Sequence, residues 1–489
     1  MDEAKRDGGK GAGRTDANLW WAGAIGGLAG VAGAGLAGLL SWRLLVRHAF
    51  GSLLRRLLTD PYEQNLQELF SATRRMGLQT VLETSLRAEE GKPVKRPFGS
   101  PRRLPHFDSL LFDFAQLARF PTEPGQPVDL QTVIGPRAAR PLVLDLPLLI
   151  APMAYGFALS EPVKVALAKG AAAAGTATNT GEGPLLPAER QAASKLILQY
   201  GRGSWAKDPD TLRQADAIEI QVGLGARGGT GHILPAAQID EELRRHLGLA
   251  PGQDAVGPAR LPGVAALSDL RALVAQVRQA GGGVPVGFKI AAGKNLEQDL
   301  ELALAADPDF LDLSGAQAGS WGAVPALEDD FGVPTLYALA RAIRFFNRQG
   351  LKGKVSLIVG GGLTNPGEFL KALALGADAV NLGTVALFAL AHTQILAALP
   401  WEPPTQLMGH RGTLKGRFNP DQGAQSLTKF LLSCRAEMEE GIRALGKTSH
   451  RELSPDDLMA LDPLTAEICG VAPAYQPPQP ADGPEGSAD

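Results

Sequence analysis

The fold class that the sequence predicts is α/β, a closed TIM (β/α)8 barrel carrying an N-terminal transmembrane helix and helical N- and C-terminal extensions. Three observations predict it. Eight short apolar runs recur at Leu148–Met153, Thr176–Thr180, Leu196–Tyr200, Ala217–Gln221, Val284–Ile290, Phe310–Ser314, Val355–Val359 and Ala379–Leu382. Helix-like stretches separate most of them, among them SEPVKVALAKGAAAAG, SDLRALVAQVRQAG, NLEQDLELALA, TLYALARAIRFFNRQG and NPGEFLKALALG. Finally, residues 17–42 carry no charge.

Strand–helix alternation implies parallel pairing, because each return to the start of the sheet needs a crossover. Eight such units over about 250 residues match a closed barrel, whose working residues gather at the C-terminal ends of its strands. An open doubly wound sheet is the competing arrangement. The long stretch from Gly223 to about Pro262 reads as an elaborated loop on the working face.

The flanks divide the remainder. Residues 1–16 are polar, and residues 17–42 (ANLWWAGAIGGLAGVAGAGLAGLLSW) form an uncharged segment long enough to cross a hydrocarbon core, which needs about 20 helical residues. Trp20, Trp21 and Trp42 sit at its ends, where aromatic side chains suit the two interfaces. A cleaved signal peptide is the rival, but its apolar part runs to about 7–15 residues and ends at a small-residue site, not at Trp-Arg. Basic residues flank both sides (Lys5, Arg6, Lys10 and Arg14; Arg43, Arg47, Arg55 and Arg56), so charge alone does not orient the span. The expected protein is single-pass, with its catalytic domain in the cytoplasm. Residues 43–140 read as a helical and proline-rich extension in which FDSLLFDFAQLARF (Phe107 to Phe120) has helical apolar spacing. The barrel is expected over 141–400, a helical C-terminal extension over 401–470, and a disordered tail rich in proline, glycine and acid over 471–489.

Composition excludes several functions. A net charge of -3 without a basic stripe argues against nucleic acid as a partner. Two cysteines, Cys434 and Cys469, are too few for a disulfide framework or a four-cysteine metal site and fit a reducing compartment. His48, His106, His246, His392, His410 and His450 lack metal-ligand spacing, so no metal centre is expected; His232 lies in the elaborated loop.

The chemistry-bearing signal sits at the last two strands. Gly360, Gly361 and Gly362 follow the seventh and Gly383 with Thr384 the eighth, the two loops where such barrels commonly bind phosphate. Glycine lets backbone N–H groups approach phosphate oxygens, and a following helix N-terminus adds favourable partial charge. The competing reading is a pair of tight strand-to-helix turns. Lys289 alternates with Phe288 and Ile290 in the fifth run, so it points into the barrel if those two pack outward; the competing reading is a lysine at a strand end reaching solvent. TNTGEG after the second run puts Asn179, Thr180 and Glu182 at the same mouth, unless these residues only form the turn.

LLIAPMAYGFALSEPVKVALAKGAAAAGTATNTGEG, VPVGFKIAAG and LIVGGGLTNPGEFLKALALGADAVNLGTVAL occur in the order and spacing of one known family. Over roughly Phe107 to Cys469 the chain resembles the FMN-binding domain of glutamate synthases. The resemblance implies that the phosphate belongs to FMN, with Gly361, Gly362, Gly383 and Thr384 at the matching positions. It implies that Pro152, Met153 and Ala154 lie along the flavin edge, that Asn179 and Thr180 help to hold the cofactor, and that Lys289 lies against the flavin as the catalytic cation. Glu182, Arg227, Ser314 and Gln317 are the residues it suggests for substrate, a 2-imino or 2-oxo dicarboxylate reduced to L-glutamate. The chain departs from the family in GARGGTGH, where Arg227 keeps a positive charge but Thr230 replaces an expected acid. It departs again in SGAQAGSWGA, where Ser314 takes the place of an aspartate and Trp321 looks inserted. Residues 391–420 contain no cysteine for the family's iron–sulfur centre, and no glutamine-hydrolysing domain is recognisable. Alternatives are a flavin barrel turned to another substrate such as a 2-hydroxy acid, and a non-catalytic membrane-tethered flavin-binding subunit. The electron donor or redox partner is not assigned, and a homo-oligomer is left open.

Overall fold

Side chains alternate across a strand, so in a closed barrel every second residue faces the axis and the rest face the surrounding helices. The computed structural model, which describes residues 41–477, realises this in all eight predicted runs. The strands are β1 (Leu148–Ile150), β2 (Ala177–Asn179), β3 (Lys195–Tyr200), β4 (Ala217–Gln221), β5 (Val286–Ala291), β6 (Phe310–Ser314), β7 (Ser356–Gly360) and β8 (Ala379–Leu382). They pair in parallel in the order β1-β8-β7-β6-β5-β4-β3-β2. Lys289 stands opposite Asp312, Ser314 opposite Gly360, and Asn381 opposite Leu149. No ladder joins β1 to β2; the seam is bridged by Thr176, whose hydroxyl donates to the Leu148 carbonyl.

The inward positions change character along the strands. At the N-terminal end they are apolar: Leu149, Ala177, Ile197, Ala217, Phe310, Ile358 and Ala379 form one cluster. Two positions further on they are Asn179, Gln199, Glu219, Lys289, Asp312 and Asn381, all buried. The outward positions, such as Phe288, Ile290, Leu311, Leu313 and Val359, join the large core beneath the helices. The barrel is therefore an apolar plug below and a polar chamber above, which places any chemistry at the C-terminal mouth. The plug is completed by an antiparallel hairpin, Thr132–Ile134 with Leu142–Leu144, whose Ile134, Leu142 and Leu144 join the same cluster.

Helices α1 (Glu161–Ala173), α2 (Leu267–Ala280), α3 (Leu296–Leu304), α4 (Thr335–Gln349), α5 (Pro366–Leu375) and α6 (Thr384–Ala391) surround the barrel. The long α7 (Pro420–Ala444), capped by Asn419, whose side chain accepts from Asp421 N and Gln422 N, packs on α1. A Cβ built on Gly170 of α1 would lie 2.8 Å from Leu427 of α7, so glycine sets the closeness of that crossing. The loop after β4 holds a small hairpin, His232–Leu234 with Ala255–Gly257, and a helix, Glu241–Leu247.

Two expectations fail. Phe107 to Phe120 forms no α-helix: after one 3-10 turn at Phe107–Ser109, Leu110–Phe112 is a strand antiparallel to Leu458–Ala460. Its apolar spacing fits a helix, but pairing with a distant strand decides the local conformation, as tertiary context commonly does for short segments. The chain also stays ordered past residue 470, because Ala472 and Pro473 pair with Met459 and Ala460.

The chain divides into two units, Met1–Val94 and Lys95–Asp489. In the first, residues 41–59 are helical and Gly77 (φ 82°) separates helix Gln67–Met76 from helix Leu78–Glu90. The expected membrane span lies outside the described residues except for Ser41 and Trp42. Among the described residues no helix is long and apolar enough to cross a membrane.

One strand end yields a pH prediction. The Asp378 carboxylate accepts from Leu357 N at 2.7 Å, and burial raises its pKa to about 6. A raised carboxyl contributes stability that is full below its unfolded value and is lost as pH rises through the folded value. Asp378→Asn is expected to remove that loss, making the protein more stable by about 1–3 kcal/mol at pH 7 and flattening its stability between pH 4 and 6. Denaturant titrations at several pH values check this; an unchanged slope refutes it.

Candidate active site

Above the polar layer the barrel opens into a cavity of about 580 Å³, a size suited to a cofactor or drug-sized ligand. Of the residues expected at the site, Pro152, Met153, Ala154, Glu182, Arg227, Lys289, Ser314, Gln317, Gly361, Gly362, Gly383 and Thr384 line it. Asn179 and Thr180 do not; their side chains are consumed in the wall. Asn179 accepts from Gly181 N and donates to Glu219, while Thr180 accepts from Gln199 N and donates to Gly181 O.

Each wall has a local cause. Gly181 (φ 67°) lies so close under the first turn that a Cβ there would sit 2.5 Å from Ala154 N, so the TNTGEG loop supports Met153 and Ala154 from below. Lys164 of α1, wholly buried, donates to the carbonyls of Met153 (2.8 Å), Asn179 (2.8 Å) and Thr180 (3.2 Å) and stands 2.9 Å from Glu189. One cation thus gathers the first two strand ends.

Lys289 points into the barrel as expected, and its charge is answered by a group that the motif reading missed. Its Nζ lies 2.7 Å from Asp312 Oδ1, and Asp312 Oδ2 accepts from Asn381 Nδ2 at 2.5 Å. Beside them Glu219 accepts from Gln199 Nε2 at 2.6 Å and from Asn179 Nδ2 at 3.2 Å. Burial first, and then the neighbouring Asp312 carboxylate, push the Glu219 carboxyl well above its ordinary range, against the pull of Lys289. The chamber therefore holds one lysine, two carboxyl groups and three amides. A signal for it existed: a cation buried at Lys289 needs a carboxylate nearby, and Asp312 occupies the inward, register-matched position of the next strand.

The mouth carries a second polar group. Arg227 donates to Trp321 O at 2.9 Å and stands 3.6 Å from Glu182, while its Nη1 is buried without a hydrogen-bond partner. Glu182 also accepts from Gln221 at 3.2 Å and lies 3.7 Å from His232 Nε2. Both His232 ring nitrogens are buried without hydrogen-bond partners, and burial lowers the pKa of the ring, favouring the neutral form. Arg202 pins this loop by donating to the carbonyls of Gly229 (2.6 Å), Thr230 (2.9 Å) and Ala259 (3.2 Å). Thr230 itself turns back on Arg227 O.

Ser314 lines the cavity beside the β6–β7 register. Gln317 has another task than the expected substrate contact. Its oxygen accepts from Thr335 N and Oγ1, both at 2.8 Å, and its amide donates to Pro105 O at 3.1 Å. It joins the start of α4 to a segment, Pro97–Asp108, that contributes Phe98, Ser100, Arg102, Arg103 and His106 to the lining. Nothing in the motifs marks that segment.

The residues present fit the expected FMN. Gly361 (φ 127°) and Gly362 (φ 75°) form a cradle that side chains would fill, since a Cβ on Gly362 would lie 2.7 Å from Gln317 Cβ. Gly383 precedes the first residue of α6, and a Cβ there would meet nothing nearer than 3.8 Å. Ala151, Pro152, Met153, Val385 and Leu387 offer apolar surface next to the Lys289 chamber.

Comparison with known proteins agrees. The family model described as the conserved region in glutamate synthase matches residues 116–448. A glutamate synthase large subunit-like protein of Rhizobium meliloti (strain 1021) is 33% identical over 416 residues, 80% of this chain and 92% of that protein. An archaeal-type glutamate synthase (NADPH) of Dehalococcoides mccartyi is 29% identical over 422 residues, 81% of each chain. Among solved structures, a flavocytochrome b2 variant is 20% identical with a TM-score of 0.47, over 77% of this chain and 80% of that one. The chain belongs to the glutamate synthase family and is an FMN-dependent oxidoreductase.

Proposed function

We propose that the enzyme is membrane-anchored and reduces a 2-imino or 2-oxo dicarboxylate, with L-glutamate as the product. The observation that carries the substrate reading is Arg227 at the rim of the Lys289 cavity, its buried Nη1 without a hydrogen bond and 3.6 Å from Glu182. A guanidinium so placed can clamp a carboxylate in two-point fashion. Bound FMN supplies a hydride donor and acceptor. The chain holds the substrate carboxylate at Arg227, with Glu182 fixing the guanidinium, and places positive charge at Lys289 where negative charge collects on the reduced cofactor. Phe98 and Trp321, whose rings meet edge to face at 6.3 Å, narrow the mouth and limit water.

Electrons from NADPH are one source, in keeping with the names of several relatives; a quinone or redox protein is another. The anchor rests on the uncharged stretch 17–42. It is supported by the helix that follows, which exposes Trp42, Leu44, Leu45, Phe50 and Leu58. In this reading the catalytic domain lies in the cytoplasm, in keeping with a chain that carries only two cysteines.

Anaerobic reoxidation of the chemically reduced enzyme by 2-oxoglutarate with ammonia tests the substrate. Formation of glutamate is expected; reoxidation by neither this pair nor any other 2-oxo acid refutes it. A second reading, oxidation of a 2-hydroxy acid, draws on His232, whose ring makes no hydrogen bond and whose pKa is lowered by burial, as a base, and predicts that such an acid bleaches the oxidised flavin. The cradle has its own test. Gly362→Val puts a branched side chain into an occupied space at a left-handed φ and is expected to weaken FMN binding at least tenfold, about 1.4 kcal/mol. Titration of flavin fluorescence reads the change, and an unaltered Kd would place the phosphate elsewhere.

A further inference from the structure

We propose that His106 is the side chain that binds the FMN phosphate, its ring set over the Gly361–Gly362 cradle beside Asp108 and Glu368; the proposal rests on the FMN reading. The ring belongs to the Pro97–Asp108 segment, not to the barrel strands or their loops, and it lines the cavity together with Gly361, Gly362, Gly383 and Thr384. Its Nε2 is buried without a hydrogen-bond partner and faces the cradle, 3.3 Å from where a Cβ on Gly362 would stand.

The other edge of the ring faces two carboxylates. Nδ1 lies 3.3 Å from Asp108 Oδ1 and 3.6 Å from Glu368 Oε1. Glu368 is itself anchored, accepting from Thr364 N at 2.6 Å in the loop that leaves the cradle. The backbone carbonyl next to the ring, Phe107 O, accepts from Lys371 at 3.0 Å. Both carboxylates lie on the Nδ1 side, so the Nε2 edge is the one left to meet a phosphate. Backbone amides at the glycines bind phosphate oxygens without neutralising them; His106 adds a charge-assisted donor. The same cluster of His106, Asp108 and Glu368 has the composition of a metal site. A phosphate is favoured because the nitrogen without a partner is the one turned to the cradle, away from both carboxylates.

The test compares FMN with riboflavin, which lacks the phosphate, by fluorescence titration of the full-length chain stripped of flavin. His106→Ala should weaken FMN by about 10- to 100-fold and leave riboflavin unchanged, and His106→Lys should restore most of the preference for FMN. Equal loss for both flavins, or no loss for FMN, overturns the proposal while leaving the FMN reading intact. Loss of FMN affinity from wild type on EDTA treatment, restored by zinc, overturns it in favour of a metal. A folded wild-type chain that binds neither flavin removes the FMN reading as well.

Discussion

Lys289→Met is expected to slow flavin reduction and reoxidation by about 10²- to 10³-fold if, as proposed, its charge stabilises the reduced cofactor. It should also destabilise the fold. Lys289 and Asp312 are 4% and 1% exposed, and removing one partner of such a pair leaves a buried carboxylate uncompensated, at a cost of about 3–5 kcal/mol. The two effects are separable. Combining Lys289→Met with Asp312→Asn removes the orphaned charge and should recover most of the stability without the rate. Stopped-flow absorbance with chemical denaturation reads both quantities; a single variant with wild-type rates removes Lys289 from the chemistry.

Lys164→Met should produce the largest loss of stability outside the cavity. The side chain is wholly buried and serves three carbonyls and Glu189, whose carboxyl is pushed up by burial and pulled back by this lysine. A loss of about 3–5 kcal/mol is expected from the stranded partners. FMN retention should fall too, because the Met153–Ala154 wall loses its tie to the second strand. Adding Glu189→Gln, which neutralises the abandoned acid, should recover part of it. Unfolding midpoints unchanged from wild type would show that the pair contributes nothing.

The barrel was legible because its strands are apolar runs of fixed length interrupted by amphipathic helices, a pattern set by period rather than by any one residue. The glycine turns were legible for a related reason: few residues other than glycine occupy the φ values of Gly361 and Gly362. What stayed hidden depends on neighbours remote in sequence. Asp312 and Asn381 look like ordinary strand residues until the register brings them to Lys289. Asn179 and Thr180 look like ligands until the turn claims their side chains. Gln317 looks like a substrate contact until Pro105, 212 residues away, takes its amide. The Leu110–Phe112 strand and the Pro97–Asp108 cover were missed because local spacing carries no trace of a partner near residue 459 or of the barrel mouth below.

The absorption spectrum of the purified full-length chain, followed by identification of the flavin released on denaturation, tests the central claim most directly. A yellow protein yielding FMN in one-to-one ratio with the polypeptide is the predicted result. A folded, colourless chain that takes up no added FMN would contradict it.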